Sequence, residues 1–230
     1  MNSVKQYPLP LPHQVAMGAD DFMVTDSNRE AAAWLDKWPE WPSHCMVIYG
    51  PSGSGKTHLS HVWQNQSKAY TATISELVVK GATTLCAMNK VLLLDNADKV
   101  TGDSAAEEAL FHLYNHLREI KGYMLLTAQL APAQWDIRLP DLKSRLSSIP
   151  AVALAAPDDA LLAGLLIKQF RDRQIDIGMD VVDYLIPRLS RTPEAIRSFV
   201  AAMDSESLAE KRGLTVALAR KILEQLSHDL

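Results

Sequence analysis

The spacing of apolar residues changes along the chain, and each change marks an element. CMVIYG (45–50), AYTATI (69–74), KVLLLDNAD (90–98), YMLLTAQ (123–129) and PAVALAA (150–156) are short apolar or alternating runs, and they predict five strands. Between them the period lengthens to that of a helix. TDSNREAAAWLDKW (25–38) sets Thr25, Asp26, Ser27 and Asn28 ahead of an alanine-rich amphipathic run, and WPEWP (38–42) ends it. SAAEEALFHLYNHLREIKG (104–122) puts Leu110, Leu113, Leu117 and Ile120 on one face. Ser104 and Glu107 stand at capping-box spacing, and Gly122 marks the stop. Strands alternating with helices predict an α/β fold, a parallel sheet covered on both faces.

Beyond Pro157 the strand signal stops. Four helices are expected, over 158–173, 179–189, 192–209 and 215–227, with Leu161, Leu162, Leu165, Leu166 and Phe170 sharing a face of the first. Thr192 is an N-cap with Pro193 at the first helical position. Residues 1–19, rich in proline and polar groups, have no period and read as a mobile tail. The expected organisation is a tail over 1–19, an α/β domain over 20–156 and a helical domain over 157–230.

Composition narrows the class. Hydrophobic residues make up 47% and charged ones 22%, the balance of a soluble globular protein. A formal net charge of −4 argues against a main task of gripping nucleic acid through its phosphates, which needs clustered Lys and Arg. Cys45 and Cys86 form neither a disulfide framework nor a C-x-x-C site and suit a reducing cytosol as small buried hydrophobes. The N-terminus has no apolar signal region and no run is long enough to span a bilayer, so the expected location is cytoplasmic, away from membranes.

The chemistry begins at GPSGSGKT (50–57), which matches G-x-x-x-x-G-K-[ST] between an apolar strand and a helix. Gly50, Pro51, Ser52, Gly53, Ser54 and Gly55 form a loop whose backbone N–H groups can face phosphate oxygens. Lys56 is expected to reach the β- and γ-phosphates and Thr57 to ligate Mg²⁺, with His58 next in line beside the nucleotide. His58 and His61 also read simply as residues of the following helix. Asp95, at the end of VLLL, is the expected acid behind the hydrated Mg²⁺. Asn96 follows, where many ATP-hydrolysing machines carry a second acid. An amide can hydrogen-bond water but cannot take its proton, so nucleotide is expected to bind tightly and turn over slowly, unless Asp98 or another group supplies the base.

P-loop, strand-borne Asp95, LLTAQ, LPDLKSRLSS and a helical end together resemble the AAA+ ATPases of the initiator clade, and within it the Hda-type homologues of DnaA. The resemblance runs from QYPLPLP through DDFMVTDSN to LAEKRGLTVALARKIL, almost the whole chain. It implies an AAA+ three-layer domain followed by a helical lid, with ADP or ATP and Mg²⁺ as ligands. Gln6, Tyr7, Pro8, Leu9, Pro10 and Leu11 correspond to the family's peptide for the DNA polymerase sliding clamp, with Tyr7 in place of a leucine. Arg145 corresponds to an arginine finger acting in trans; only the resemblance singles it out over Arg138 or Lys143. Arg197, with Arg191 as competitor, corresponds to sensor 2, and Thr127 and Gln129 fall where sensor 1 lies. Phe22 and Asn28 match the segment beside the base.

The implied function is regulatory inactivation of DnaA: clamp-bound, the chain would promote hydrolysis of ATP held by DnaA, touching DNA only indirectly or weakly. Two departures from DnaA agree with this, the missing acid at 96 and an end at Leu230 where DnaA continues into a DNA-binding domain. One rival is a DNA-stimulated ATPase of helicase-loader or transposition-helper type, which would hydrolyse ATP alone. Another is a small-molecule P-loop kinase, which would need an acceptor pocket. His112 and His116, four apart on a helix, have no third ligand nearby in sequence and read as helix-surface residues. Trp38 and Trp41 are expected to clamp the first helix onto the sheet.

Overall fold

A computed structural model describes residues 23–210 and 213–228. Five strands, β1 (Cys45–Tyr49), β2 (Tyr70–Ala72), β3 (Val91–Leu94), β4 (Tyr123–Ala128) and β5 (Ala151–Ala153), pair in the order β2-β3-β4-β1-β5, every pair parallel. The predicted strands are all present. Their apolar residues sort by parity. Cys45, Val47, Leu92, Leu94, Met124 and Leu126 face one core, with α3 (Ile74–Met88), α4 (Ser104–Glu119) and α5 (Pro140–Ser148). Met46, Ile48, Leu93, Leu125 and Val152 face the other, with α1 (Arg29–Asp36) and α2 (Lys56–Ser67). Continuous apolar strands are what a sheet buried on both faces requires.

On the second face Trp41 stacks on Trp63 of α2 with ring centroids 5.5 Å apart, and Trp38 meets Trp63 and Tyr123 edge-on. The Trp41 indole N–H donates to the Trp34 carbonyl at 2.8 Å, so the W-P-E-W-P turn does hold α1 against the sheet layer. α3 is not singled out by the spacing of apolar positions. It breaks at Gly81, whose φ of 77° and ψ of 162° lie outside the helical region.

Two termini of α4 differ from the sequence expectation. Asp103, not Ser104, is the N-cap: its carboxylate accepts from the N–H groups of Ala105 at 3.0 Å and Ala106 at 3.2 Å. Glu107 does not return to the cap residue; it accepts from Gly102 and from the chain entering α5. At the other end the left-handed residue is Lys121, φ 54°, and Gly122 N–H bonds Leu117 O at 2.8 Å in a Schellman closure. Gly122 is glycine for a different reason: a Cβ there would lie 2.4 Å from the Lys90 carbonyl.

The chain divides between Ala156 and Pro157. The second unit holds α6 (Asp159–Arg171), α7 (Met179–Leu185), α8 (Pro193–Glu210) and α9 (Val216–His228) around Leu166, Phe170, Leu185, Phe199 and Met203. α7 ends four residues before the predicted 189 because Pro187 has no N–H to continue the ladder. Thr192 caps α8, accepting from the Ala195 N–H at 3.2 Å. Among the described residues no helix is long and apolar enough to cross a membrane.

At the N-terminal ends of the strands, the residue before β1 is His44. Its Nε2 is 3.1 Å from the Tyr114 carbonyl and its ring lies 4.4 Å from the Tyr114 ring. Burial holds its pKa below the usual 6.5, against the Tyr114 bond and with help from Arg118. The unfolded chain therefore binds this proton first, so His44 adds stability above about pH 6.5 that is lost as the pH falls toward the folded pKa. Replacing it (His44→Asn) is expected to flatten the acid limb of stability between pH 7 and 5. Urea unfolding at several pH values reads this; an unchanged slope contradicts it.

Candidate nucleotide site

The loop 50–55 leaves β1 at its C-terminal end and enters α2. Gly50 continues the ladder by donating to Ala128 O at 3.2 Å. It also passes the backbone beyond β5 so closely that a Cβ would sit 2.2 Å from the Leu154 carbonyl oxygen. Gly53 and Gly55 have φ of 78° and 93°, and Gly55 is the residue before the first turn of α2. That turn's N–H groups have no intrahelical acceptor and point out of the helix end, the arrangement that receives an anion.

Lys56 is buried at the base of the loop. Its ammonium donates to Gly50 O at 2.7 Å and to Pro51 O at 2.8 Å, with Ser54 Oγ at 3.5 Å. Burial lowers its pKa, and the charges of Asp95 and Asp98 act in the opposite direction. Thr57 is exposed on the first turn, with His58 half-buried behind it.

Asp95 follows β3, beside Thr127 near the end of β4. The Thr127 hydroxyl donates to Asp95 Oδ1 and accepts the Asn96 N–H at 2.9 Å, while Asn96 Nδ2 donates to Asp95 Oδ2 at 2.9 Å. Asn96 sits in the left-handed region, φ 54° and ψ 49°, which Asn tolerates better than most residues. Three residues, through their side chains and the Asn96 backbone N–H, thus close a ring at the C-terminal ends of neighbouring strands, with the carboxylate held by two neutral donors. Asp98 is engaged as well: its Oδ2 accepts the Gln129 N–H at 2.8 Å, which holds the start of the loop between β4 and α5.

Arg145 is elsewhere on the same sheet. It lies half-buried in the last turn of α5, close enough to Tyr114 to act on its ionisation. Burial raises the Tyr114 phenol pKa, reinforced by Cys45 and opposed by Arg145, Arg118 and a hydrogen bond from Ser148. Tyr114 packs on His44, beside the first residue of β1, whereas the glycine loop leaves the last. β1 has five residues, so the two ends stand roughly 15 Å apart at about 3.3 Å per residue. Arg145 makes no ion pair among the described residues.

Residues 159–223 match the family model of the Hda lid domain. An uncharacterized protein of Haemophilus influenzae is 28% identical over 234 residues, 95% of this chain and 98% of that protein. The chromosomal replication initiator protein DnaA of Clavibacter sepedonicus is 23% identical over 230 residues, 91% of this chain and 48% of the relative. The chain is thus similar to DnaA over most of its length, and its C-terminal helices are similar to an Hda lid. It spans about half the length of the DnaA proteins it matches. Domain III of Thermotoga maritima DnaA superposes with a TM-score of 0.74 at 17% identity, over 94% of this chain and 98% of that one. AMPPCP-bound DnaA from Aquifex aeolicus gives a TM-score of 0.70 at 19% identity, over 84% and 67%. The fold is therefore the one seen in domain III of Thermotoga maritima DnaA.

The other expected site residues fall as follows. Asn28 is buried, and its amide serves its own turn, accepting the Thr25 N–H at 3.0 Å and donating to Met23 O at 3.0 Å. That turn is tied to the stretch after β5, since Ala155 N–H bonds Ser27 O at 3.0 Å. In the lid, Arg197 is exposed on α8 and paired with Glu194 at 2.9 Å. Arg191 is bound into the start of α6, donating to Pro157 O at 2.7 Å and pairing with Asp159. Gln6–Leu11 and Phe22 lie outside the described residues. His112 is exposed and His116 is 3.9 Å from Glu119; among the described residues no three His, Cys, Asp or Glu converge as a metal site.

The ring at Asp95 makes a direct prediction. Thr127→Val keeps the shape but leaves the Asn96 N–H without its acceptor, and such a loss costs about 1–3 kcal/mol. Thr127→Ser keeps the oxygen and is expected to stay near the unaltered stability. Equal urea midpoints for all three proteins would rule the ring out.

Proposed function

We propose that this chain is a nucleotide-holding regulator that supplies Arg145 to ATP bound by DnaA and thereby promotes hydrolysis there. The single observation that carries the reading is the separation on one sheet. The phosphate-type loop and Asp95 stand at the C-terminal strand ends, and Arg145 stands at the N-terminal ends, too far to serve its own loop. An unpaired, half-buried arginine at that edge suits a γ-phosphate presented by another molecule. There a planar guanidinium offsets the charge that develops in phosphoryl transfer, an effect worth about 10³–10⁵ in rate.

Nucleotide on the chain's own loop is part of the same proposal. The geometry fits a phosphate: close backbone passage at Gly50, left-handed glycines at 53 and 55, and an outward-facing helix start. Lys56 would exchange its carbonyl partners for phosphate oxygens. Thr57 and Asp95 are oxygen donors of the kind Mg²⁺ takes when phosphates and water complete its shell. The metal, when held there, would neutralise phosphate charge. Asn96 holds Asp95 and has no proton-accepting group to activate water, and Asp98 is engaged by Gln129. The site is thus suited to retaining ADP or ATP as a structural ligand, which stabilises the fold that binds it. Gln6–Leu11 would bring the chain to the sliding clamp, with DNA contacted only indirectly or weakly. The similarity to DnaA over 91% of the chain supports DnaA as the partner.

Phosphate release tests this in four mixtures: this chain alone, ATP-loaded DnaA alone, both with DNA-loaded clamp, and the same with Arg145→Ala. The chain alone is expected to be nearly silent, and the third mixture fast only with Arg145 present. Brisk hydrolysis by the chain alone, with DnaA unaffected, would make it a self-sufficient ATPase instead.

A further inference from the structure

Glu107 is the only buried carboxylate among the described residues, 1% exposed on the first turn of α4. A buried anion is costly unless hydrogen bonds surround it. Here three backbone N–H groups do so: Gly102 at 3.1 Å on Oε1, and Arg138 at 3.0 Å and Leu139 at 2.8 Å on Oε2. The helix needs none of them for its cap, because Asp103 already fills that role. Two of the three donors belong to the segment that becomes α5, and Leu139 is the residue on which α5 starts, with no side-chain cap of its own.

α5 has only nine residues, and its hold on the core is Leu142 and Leu146. Apolar contacts fix which face of a helix is buried, but they are non-directional and leave its position along its axis loosely set. Hydrogen bonds set position. At the far end Pro150 O accepts the Val47 N–H at 2.9 Å, which ties the exit of α5 to β1. At the near end Glu107 supplies the tie. Arg145 lies six positions after Leu139, about 9 Å along the helix, between the two anchors. A slip of one residue would move its side chain by 1.5 Å and about 100°.

We propose that Glu107 is a positioning residue for Arg145, fixing the start of α5 so that the guanidinium meets a partner's γ-phosphate. The proposal rests on the reading of Arg145 given above. It is tested in the full chain by Glu107→Gln, which keeps size but turns one acceptor oxygen into an NH₂ facing N–H donors. Stimulated hydrolysis of DnaA-bound ATP is measured against chain concentration with DNA-loaded clamp. The plateau rate is expected to fall about 10²-fold, the loss that follows an ångström-scale misplacement of a reacting group. The half-saturating concentration and the stoichiometry of bound ADP should stay within twofold of the unaltered chain.

A plateau within threefold of the unaltered chain, while Arg145→Ala abolishes stimulation, overturns the role of Glu107 and leaves the finger standing. No effect of Arg145→Ala overturns the finger itself. A parallel fall in ADP stoichiometry would mark general structural damage and also overturn positioning. Leu139→Pro guards against a poorly folded Glu107 variant. Its φ of −76° suits the proline ring, and it deletes one donor while the carboxylate stays. About a tenfold lower plateau with unchanged half-saturation is expected, and an unchanged plateau counts against the proposal.

Discussion

Parallel pairing of β3, β4 and β1 is the constraint on which the rest depends. Their hydrogen-bonded register sets Leu94 beside Leu126 and Ile48 beside Thr127, so the three C-terminal ends come level. Only then can Thr127 reach Asp95 and Asn96, and only then does the loop after β1 open beside them. The same ladder separates the two ends of the sheet by the length of a strand. One end collects backbone N–H groups, a buried lysine and a carboxylate. The other collects His44, Tyr114, Arg118 and Arg145. The two groups of side chains are thereby kept apart at opposite ends of the sheet.

Much of this was legible in the sequence because it is written in periodicity. The five strands were marked by short apolar or alternating runs, and the burial of β1, β3 and β4 on both faces follows from their lack of polar alternation. The course of the loop 50–55 and the position of Asp95 at the end of β3 were legible because glycine spacing and an acid after VLLL reflect local backbone needs. What periodicity could not carry was long-range polar bonding. Glu107 read as half of a capping box, although it lies in line with Leu110 and Leu117, where an acid on an apolar stripe signals a buried partner. Its partners, Arg138 and Leu139, are 31 and 32 residues away. Gly122 read as a helix stop, whereas Lys121 takes the left-handed position and Gly122 answers the closeness of Lys90.

Asn96 gains meaning from the same ring. Its amide donates to Asp95 while its backbone N–H is held by Thr127, so the residue braces the carboxylate. The charge pattern around the loop is correspondingly quiet. Lys56 sits on its own loop carbonyls, and Asp98 holds the loop that follows β4. These are the contacts of a site that keeps its shape, and a nucleotide would stiffen it further. The chemistry proposed for this chain is carried instead at the far edge, on a short helix fixed at both ends.

The most direct measurement is a structure of the full chain with DnaA loaded with a non-hydrolysable ATP analogue, on DNA-loaded clamp. The account predicts the Arg145 guanidinium at about 3 Å from a γ-phosphate oxygen of the DnaA-bound nucleotide. It also predicts a separate nucleotide on the loop 50–57. An interface formed by another face, with Arg145 in solvent or a different arginine at that phosphate, would contradict it.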